Sequence, residues 1–319
     1  MGTLDPVLLF FIMGLVAGLL RSELRLPAAV YELISMLLLL TIGLKGGIEL
    51  AKQPVTDLMV QALAVTAMGA ALPLIAFPIL LWLGRLPRAD AASIAAHYGS
   101  VSVATYAVAV AYFASQNVSF EEYMPFLLTI LEIPAILVGI LLARGISKDL
   151  QLGVVMHEVF LGKGIVLLVG GLLIGWIAGS EGIAPLKPLF FDLFKGILAL
   201  FLLEMGLITA AQLGSLRNHG LFLIVFGLCM PLFSSVIGIS LGLLLGLSLG
   251  GTAMLGILAA SASYIAVPAA MRISVPQANP TLSLAASLGV TFPFNVLVGI
   301  PLYHSMAAYA FTLMQGGSI

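Results

Sequence analysis

Apolar residues run through this chain in long blocks, broken at intervals by charged residues or by Pro and Gly. The blocks predict ten helices, near residues 7–20, 31–50, 57–83, 89–113, 123–143, 164–179, 188–210, 220–247, 250–271 and 282–312. Crossing a bilayer takes about 17 to 25 apolar residues at helical rise, and most of the blocks are that long. No polar stretch between them is long enough to fold by itself in water. The pattern therefore reads as an all-α polytopic membrane protein.

Composition sharpens this. Of 319 residues, 61% are hydrophobic and only 8% charged, against about a quarter charged in soluble domains. The net charge is −1 and the basic residues are scattered, so there is no general electrostatic hold on nucleic acid. The single cysteine, Cys229, excludes internal disulfides and cysteine-based metal sites. Asp5 precedes the first apolar run and Arg21 follows it, the reverse of a cleavable leader, so that run is expected to be the first span. Lys and Arg then set orientation. Arg21, Arg25, Arg85, Arg88, Arg144, Lys148, Lys163, Arg217 and Arg272 fall on one side; Lys45, Lys52 and Lys187 fall on the other. The first set is expected to be cytoplasmic, with both termini outside.

Shifting the chain against itself by roughly 160 residues brings several patterns into register. GLVAG (14–18) faces GLLIG (171–175), and IGLKGGIEL (42–50) faces MGLITAAQL (205–213). AHYGSVSVATYAVA (96–109) faces LAASASYIAVPAA (258–270), which superposes Ser100 and Ser102 on Ser261 and Ser263. EIPAILVGI (132–140) faces TFPFNVLVGI (291–300), with one extra residue in the second copy. Five spans per unit make the second copy enter the membrane from the opposite side, an inverted-topology repeat. The expected units are 1–145 (spans one to five), a cytoplasmic connection at 146–163, and 164–319 (spans six to ten). Such repeats are typical of secondary transporters, whose sites lie at the repeat interface near the midplane.

The fourth and ninth spans carry polar patches at mid-span: Gly99, Ser100, Ser102 and Thr105 in one, Ser261, Ser263 and Pro268 in the other. A proline removes a backbone donor and disturbs the preceding turn, so the ninth helix is expected to be interrupted before it. Where two interrupted helices meet, half-helix N-termini and serine hydroxyls offer donors suited to a small anion. The plainer alternative is that small residues merely allow close helix packing. Glu132 sits at mid-span beside Pro134 with no cation at helical spacing. Such a carboxylate is either protonated or partnered by a metal ion or a distant base. Its counterpart Thr291, followed by Pro293 and Asn295, adds the kind of oxygens that hard cations such as sodium take. Lys45 and Glu49, four apart on one helix face, are expected to neutralise each other. Asp192 and Lys195 invite the same reading, Glu204 has no such neighbour, and His97 and Tyr98 read as packing. His157 and Glu158 lack the second histidine of a zinc motif.

IGLKGGIEL (42–50), GSVSVAT (99–105), EIPA (132–135) and AASASYIAVPAAMRISVPQANP (259–280) together resemble the SbtA-type sodium-dependent bicarbonate transporters, over nearly all the spans. The resemblance implies ten transmembrane helices in a 5+5 inverted repeat, with the fourth and ninth broken and crossing. It also implies separate core and gate domains, a homotrimer and an elevator-like movement. Carried over residue by residue, it implies an anion site at Gly99, Ser100, Val101, Ser102, Ser261, Ala262 and Ser263, and sodium ligands from Glu132, Thr105, Thr291 and Asn295. A bacterial inner membrane and a PII-like cytoplasmic regulator follow from the same source. The chain departs from the family pattern at Tyr264, where an Asp is expected, at Val103 and Val267, where glycines are, and in its short 144–163 connection. The implied activity is sodium-coupled symport of a small inorganic anion, most simply bicarbonate. Other substrates on this fold, an organic anion or sodium/proton exchange, and a sensor that does not transport stay open. No nucleophile–base pair or metal-ligand spacing marks an enzyme.

Overall fold

The computed structural model describes residues 5–145, 153, 156–157, 160–216 and 220–314. Lys148, Glu158, Arg217 and most of the 146–163 connection lie outside them. Every regular element among the described residues is helical. Among the described residues eight helices are long and apolar enough to cross a membrane; two more, Pro6–Leu19 and Leu249–Ala260, are apolar but shorter. The chain is a multi-pass membrane protein.

In chain order the helices are α1 (Pro6–Leu19), α2 (Ala28–Leu50), α3 (Val55–Pro78, continued by a π-helical turn Ile79–Leu83), α4 (Arg88–Gly99), α5 (Val103–Ser115) and α6 (Met124–Arg144). There follow α7 (Lys163–Ile183), α8 (Phe194–Leu216), α9 (Leu221–Leu244), α10 (Leu249–Ala260), α11 (Ala266–Ser274) and α12 (Pro280–Met314). The predicted seventh span begins too early: Gly179 turns the chain at φ +62° and residues Pro188–Asp192 form a separate turn before α8. Gly179 can take that backbone because it has no Cβ. The predicted fourth and ninth spans are each two helices, α4 with α5 and α10 with α11.

Two groups of helices can be told apart by their contacts. In one, α1 packs on α8 and α2 on α7. Glycines bring these backbones together: Gly206 lies against Phe11, Gly14 and Leu15, and Gly43 lies against Leu168, Gly171 and Leu172. Association inside lipid depends on close van der Waals contact of this kind, because lipid tails are as apolar as leucine. In the other group α3, α4 and α6 pack together, α9 packs on α10, and α10 reaches α12. Glu121, in the turn before α6, takes both the backbone N–H and the hydroxyl of Ser248 at the start of α10, at 2.7 and 3.0 Å.

The glycine contacts give a prediction of opposite sign on one helix. A Cβ at Gly206 would sit within 3 Å of the Phe11 and Leu15 backbone, whereas one at Gly196 meets nothing. Replacing glycine by alanine in a helix is worth about 0.5–1 kcal/mol in propensity, while forcing extra volume into a packed contact costs about 1–3 kcal/mol. Gly196→Ala should leave or raise the melting temperature of the detergent-solubilised protein, and Gly206→Ala should lower it.

Two sequence-based ion pairings are resolved differently, and Glu204 finds a partner. Lys45 does not pair with Glu49. It reaches Glu122, before α6, at 3.7 Å, while Glu49 takes Lys52 at 2.7 Å. Asp192 and Lys195 form no ion pair among the described residues. Glu204 accepts the backbone N–H of Leu26 at 3.4 Å, which gives it a partner in the α1–α2 connection. Glu49 keeps a local partner in Lys52, whereas the partners of Lys45 and Glu204 come from elsewhere in the chain, where spacing along one helix does not show them.

Candidate functional site

The two helix interruptions, Ser100–Ser102 and Ser261–Tyr264, lie against each other. The Ser102 N–H donates to the Ser261 hydroxyl at 3.0 Å, and the Ser263 N–H donates to the His97 carbonyl at 2.9 Å. Ser102 is also the cap of α5, its hydroxyl accepting the Thr105 N–H at 3.1 Å. The Ser263 hydroxyl accepts the Val267 N–H at 3.5 Å, in the first turn of α11. Serine is suited to this work because its short side chain competes with the peptide for backbone donors and so ends one helix while capping the next. Ser100 continues α4 for one hydrogen bond, its N–H to Ala96, and then extends at ψ −177°. Ser261 does the same after α10, at ψ +162°.

Gly99 ends α4 where no side chain fits, since the Pro73 ring and the Ala135 methyl occupy the space a Cβ would need. Ala135 therefore marks the level of α6 that touches this break. Glu132, one turn earlier on the same face, flanks it. Glu132 is 3% exposed and its Oε2 has no hydrogen-bond partner among the described residues. On the other side Asn295 is committed to structure: its amide nitrogen donates to the Ala260 carbonyl at the end of α10 at 2.9 Å, and its oxygen accepts the Tyr303 hydroxyl at 2.7 Å. Thr291 is committed as well, donating to the Gly227 carbonyl at 2.7 Å and accepting the Tyr98 hydroxyl at 2.7 Å. His97 and Tyr98, read from sequence as packing residues, thus reach the junction and its supports.

All eleven residues proposed from the sequence are buried: Gly99, Ser100, Val101, Ser102, Thr105, Glu132, Ser261, Ala262, Ser263, Thr291 and Asn295. The structure gathers the serines and Thr105 at the two breaks and sets Glu132 beside the first. It ties Thr291 to Tyr98 and Asn295 to the end of α10, with their side chains already bonded.

Four of the six buried side-chain atoms that have no hydrogen-bond partner among the described residues belong here: Ser100 Oγ, His97 Nε2, Glu132 Oε2 and the Tyr264 hydroxyl. The Tyr264 hydroxyl lies toward Ser102 but outside ordinary hydrogen-bond geometry. A buried polar atom left unpaired costs about 1–3 kcal/mol, so four together mark a place arranged to receive something polar. Electrostatically the junction is divided. The N-termini of α5 and α11 bring partial positive charge and spare N–H groups, while the C-termini of α4 and α10 bring carbonyls and partial negative charge. An anion is stabilised at the first pair of ends and a cation at the second, and Glu132, one turn before Ala135 on α6, stands level with the break between α4 and α5.

The second copy of the EIPA pattern carries one residue more than the first, and α12 contains two π-helical turns, Ser287–Thr291 and Asn295–Gly299. A π turn absorbs an inserted residue without breaking the helix. These turns bracket the segment that brings Asn295 onto Ala260.

No curated protein matches the chain. A family model described as the Na+-dependent bicarbonate transporter superfamily matches residues 6–308, nearly its whole length. With that match spanning both broken helices and Glu132, the chain belongs to the Na+-dependent bicarbonate transporter superfamily.

Proposed function

We propose that this protein is a sodium-coupled symporter that carries bicarbonate inward across a bacterial inner membrane. The observation that carries the reading is the paired junction: two half-helix N-termini, that of α5 capped by Ser102, for the anion, and two half-helix C-termini for the cation, with the unpartnered Glu132 carboxylate beside the first break. Bicarbonate takes the donors at Ser100–Ser102 and Ser261–Ser263. Sodium takes Glu132 and neighbouring oxygens; Thr105 is close by, whereas Thr291 and Asn295 act by holding α12 in place. Sodium neutralises the carboxylate and lets the anion settle, which couples the two flows.

The architecture proposed for this is a 5+5 inverted repeat of 1–145 and 164–319. It is supported by the glycine contacts, in which Phe11, Gly14 and Leu15 meet Gly206 as their sequence counterparts Leu168, Gly171 and Leu172 meet Gly43. In this reading α1, α2, α7 and α8 form a gate, the remaining helices form a core that moves as an elevator, and the assembly is a homotrimer. The end bearing Arg88, Arg144 and Arg272 is cytoplasmic and available to a PII-like regulator, and both termini are outside.

Purified protein in liposomes should take up labelled bicarbonate at least about tenfold faster under an inward sodium gradient than without one, and a sodium ionophore should remove the difference. Uptake indifferent to sodium overturns the reading. An organic anion is the second reading, favoured by one observation. A cavity of about 410 Å³ lies beside Lys45, Lys187 and Glu122, walled by Ile42, Ile48, Phe120 and Phe191, and it reaches Tyr106, one turn from Ser102. Strong competition by aryl or alkyl carboxylates in the same assay selects that reading.

A further inference from the structure

On the Arg272 side of the junction lies a smaller cavity of about 130 Å³ that shares His97 with it. Its walls include Ser93 and His97 of α4, Pro268 and Arg272 of α11, and Ser283 of α12. At about 30 Å³ per water in the liquid, this is the room of about four waters, enough for a planar oxyanion of four heavy atoms. His97 is 1% exposed. Its Nδ1 lies 2.7 Å from the Ser93 carbonyl. A carbonyl only accepts, so Nδ1 carries the hydrogen and Nε2 is left as an acceptor. That Nε2 has no partner among the described residues. Arg272 is exposed at the cavity wall and forms no ion pair among the described residues. The nearby carboxylate of Asp90 is engaged by the Asn279 N–H at 2.7 Å.

The cavity is therefore bordered by a residue that carries a buried, unpartnered acceptor and by a cation with five fixed donors. A proton-free oxyanion such as nitrate satisfies Arg272 but meets His97 Nε2 lone pair to lone pair. An oxyanion that carries its own proton satisfies both. We propose that this cavity is a second anion site selective for hydrogen carbonate, which donates its O–H to His97 Nε2 and presents its charged oxygens to Arg272. The His97 carbonyl also holds the Ser263 N–H at 2.9 Å, so one residue joins the helix junction to the cavity. An anion leaving the serines toward the Arg272 side meets it next. The assignment of hydrogen carbonate rests on the bicarbonate-transport reading.

The test is equilibrium binding of labelled bicarbonate to detergent-purified protein in sodium-free buffer, where the junction lacks the cation that the transport reading requires for its anion. Saturable binding is expected, weakened about tenfold, the worth of one buried hydrogen bond, by Arg272→Gln and by His97→Asn. The His97→Asn change is chosen for its amide, which keeps a donor for the Ser93 carbonyl but places no acceptor where Nε2 stood. Nitrate, of the same size and shape, should compete at least about tenfold more weakly than unlabelled bicarbonate. Binding unchanged in both variants, or nitrate competing as well as bicarbonate, overturns the proposal. Arg272 is exposed, so its variant reports even where His97→Asn fails to fold. Sodium-stimulated uptake without sodium-free binding sinks the cavity alone; binding with this selectivity but no uptake sinks the transport reading alone.

Discussion

Glu132→Gln should abolish the sodium stimulation of bicarbonate uptake, leaving one rate at every sodium concentration. The side chain is nearly isosteric and keeps an oxygen at the same place, so packing around Ala135 and Gly99 is preserved and only the charge is lost. Two unit charges about 4 Å apart at an effective dielectric of about 20 interact by about 4 kcal/mol, close to a thousandfold in occupancy. In the native protein that interaction opposes the anion until sodium cancels it. In the variant there is nothing to cancel, and sodium loses its ligand. Uptake measured in liposomes at several sodium concentrations should therefore lose its sodium dependence entirely. The protein should remain folded, because a neutral amide is easier to bury than an isolated carboxylate. Ordinary sodium dependence in Glu132→Gln would sink the coupling scheme.

A second large effect is expected from tying Lys45 to Glu122. The pair is half exposed on both sides, so its ionic attraction is worth only about 0–1 kcal/mol, and neutralising either residue should matter little. A covalent link is different. Lys45 belongs to α2, in the group read as the gate; Glu122 precedes α6, in the group read as the core. Cysteines at both positions, in a background where the exposed Cys229 is replaced by serine, should be joined by a short thiol cross-linker containing a reducible disulfide. Uptake should fall to background and return when the linker is reduced. Full uptake with the link in place would mean that core and gate do not move past each other.

The helices were legible because the bilayer demands long apolar runs, and the interruptions because Ser, Gly and Pro at mid-span stand out against such runs. Ser102 and Ser263 were legible as polar positions at the two breaks, but the capping of α5 by Ser102 was not. The partners of charged and polar groups were not legible. Lys45 was assigned to Glu49 because only helical spacing is visible along the chain, whereas Glu122 approaches from the end of another helix. Thr291 and Asn295 looked like free oxygens in sequence, yet Gly227, Tyr98, Ala260 and Tyr303 claim them through tertiary contacts. His97 is not legible for a related reason: a lone histidine in an alanine-rich helix says nothing about the cavity that it lines with Arg272 and Pro268. The signal that was present, though not followed, was the one-residue mismatch between the fifth and tenth spans, which marked where the last helix widens.

That widening has a genetic reading. On the proposed repeat, the two halves began with the same helix face turned toward the same kind of break. One inserted codon, absorbed as a π turn, is taken up within that turn, so the helix beyond it keeps the same face toward its neighbours. A duplicated gene can thus let one copy change in length without losing the contact of Asn295 with Ala260. Removing one residue within a π turn, Ser287–Thr291 or Asn295–Gly299, would convert it to an α turn and leave the side chains beyond it facing as before, and such deletions should be better tolerated than single-residue deletions in the α-helical part of the same helix.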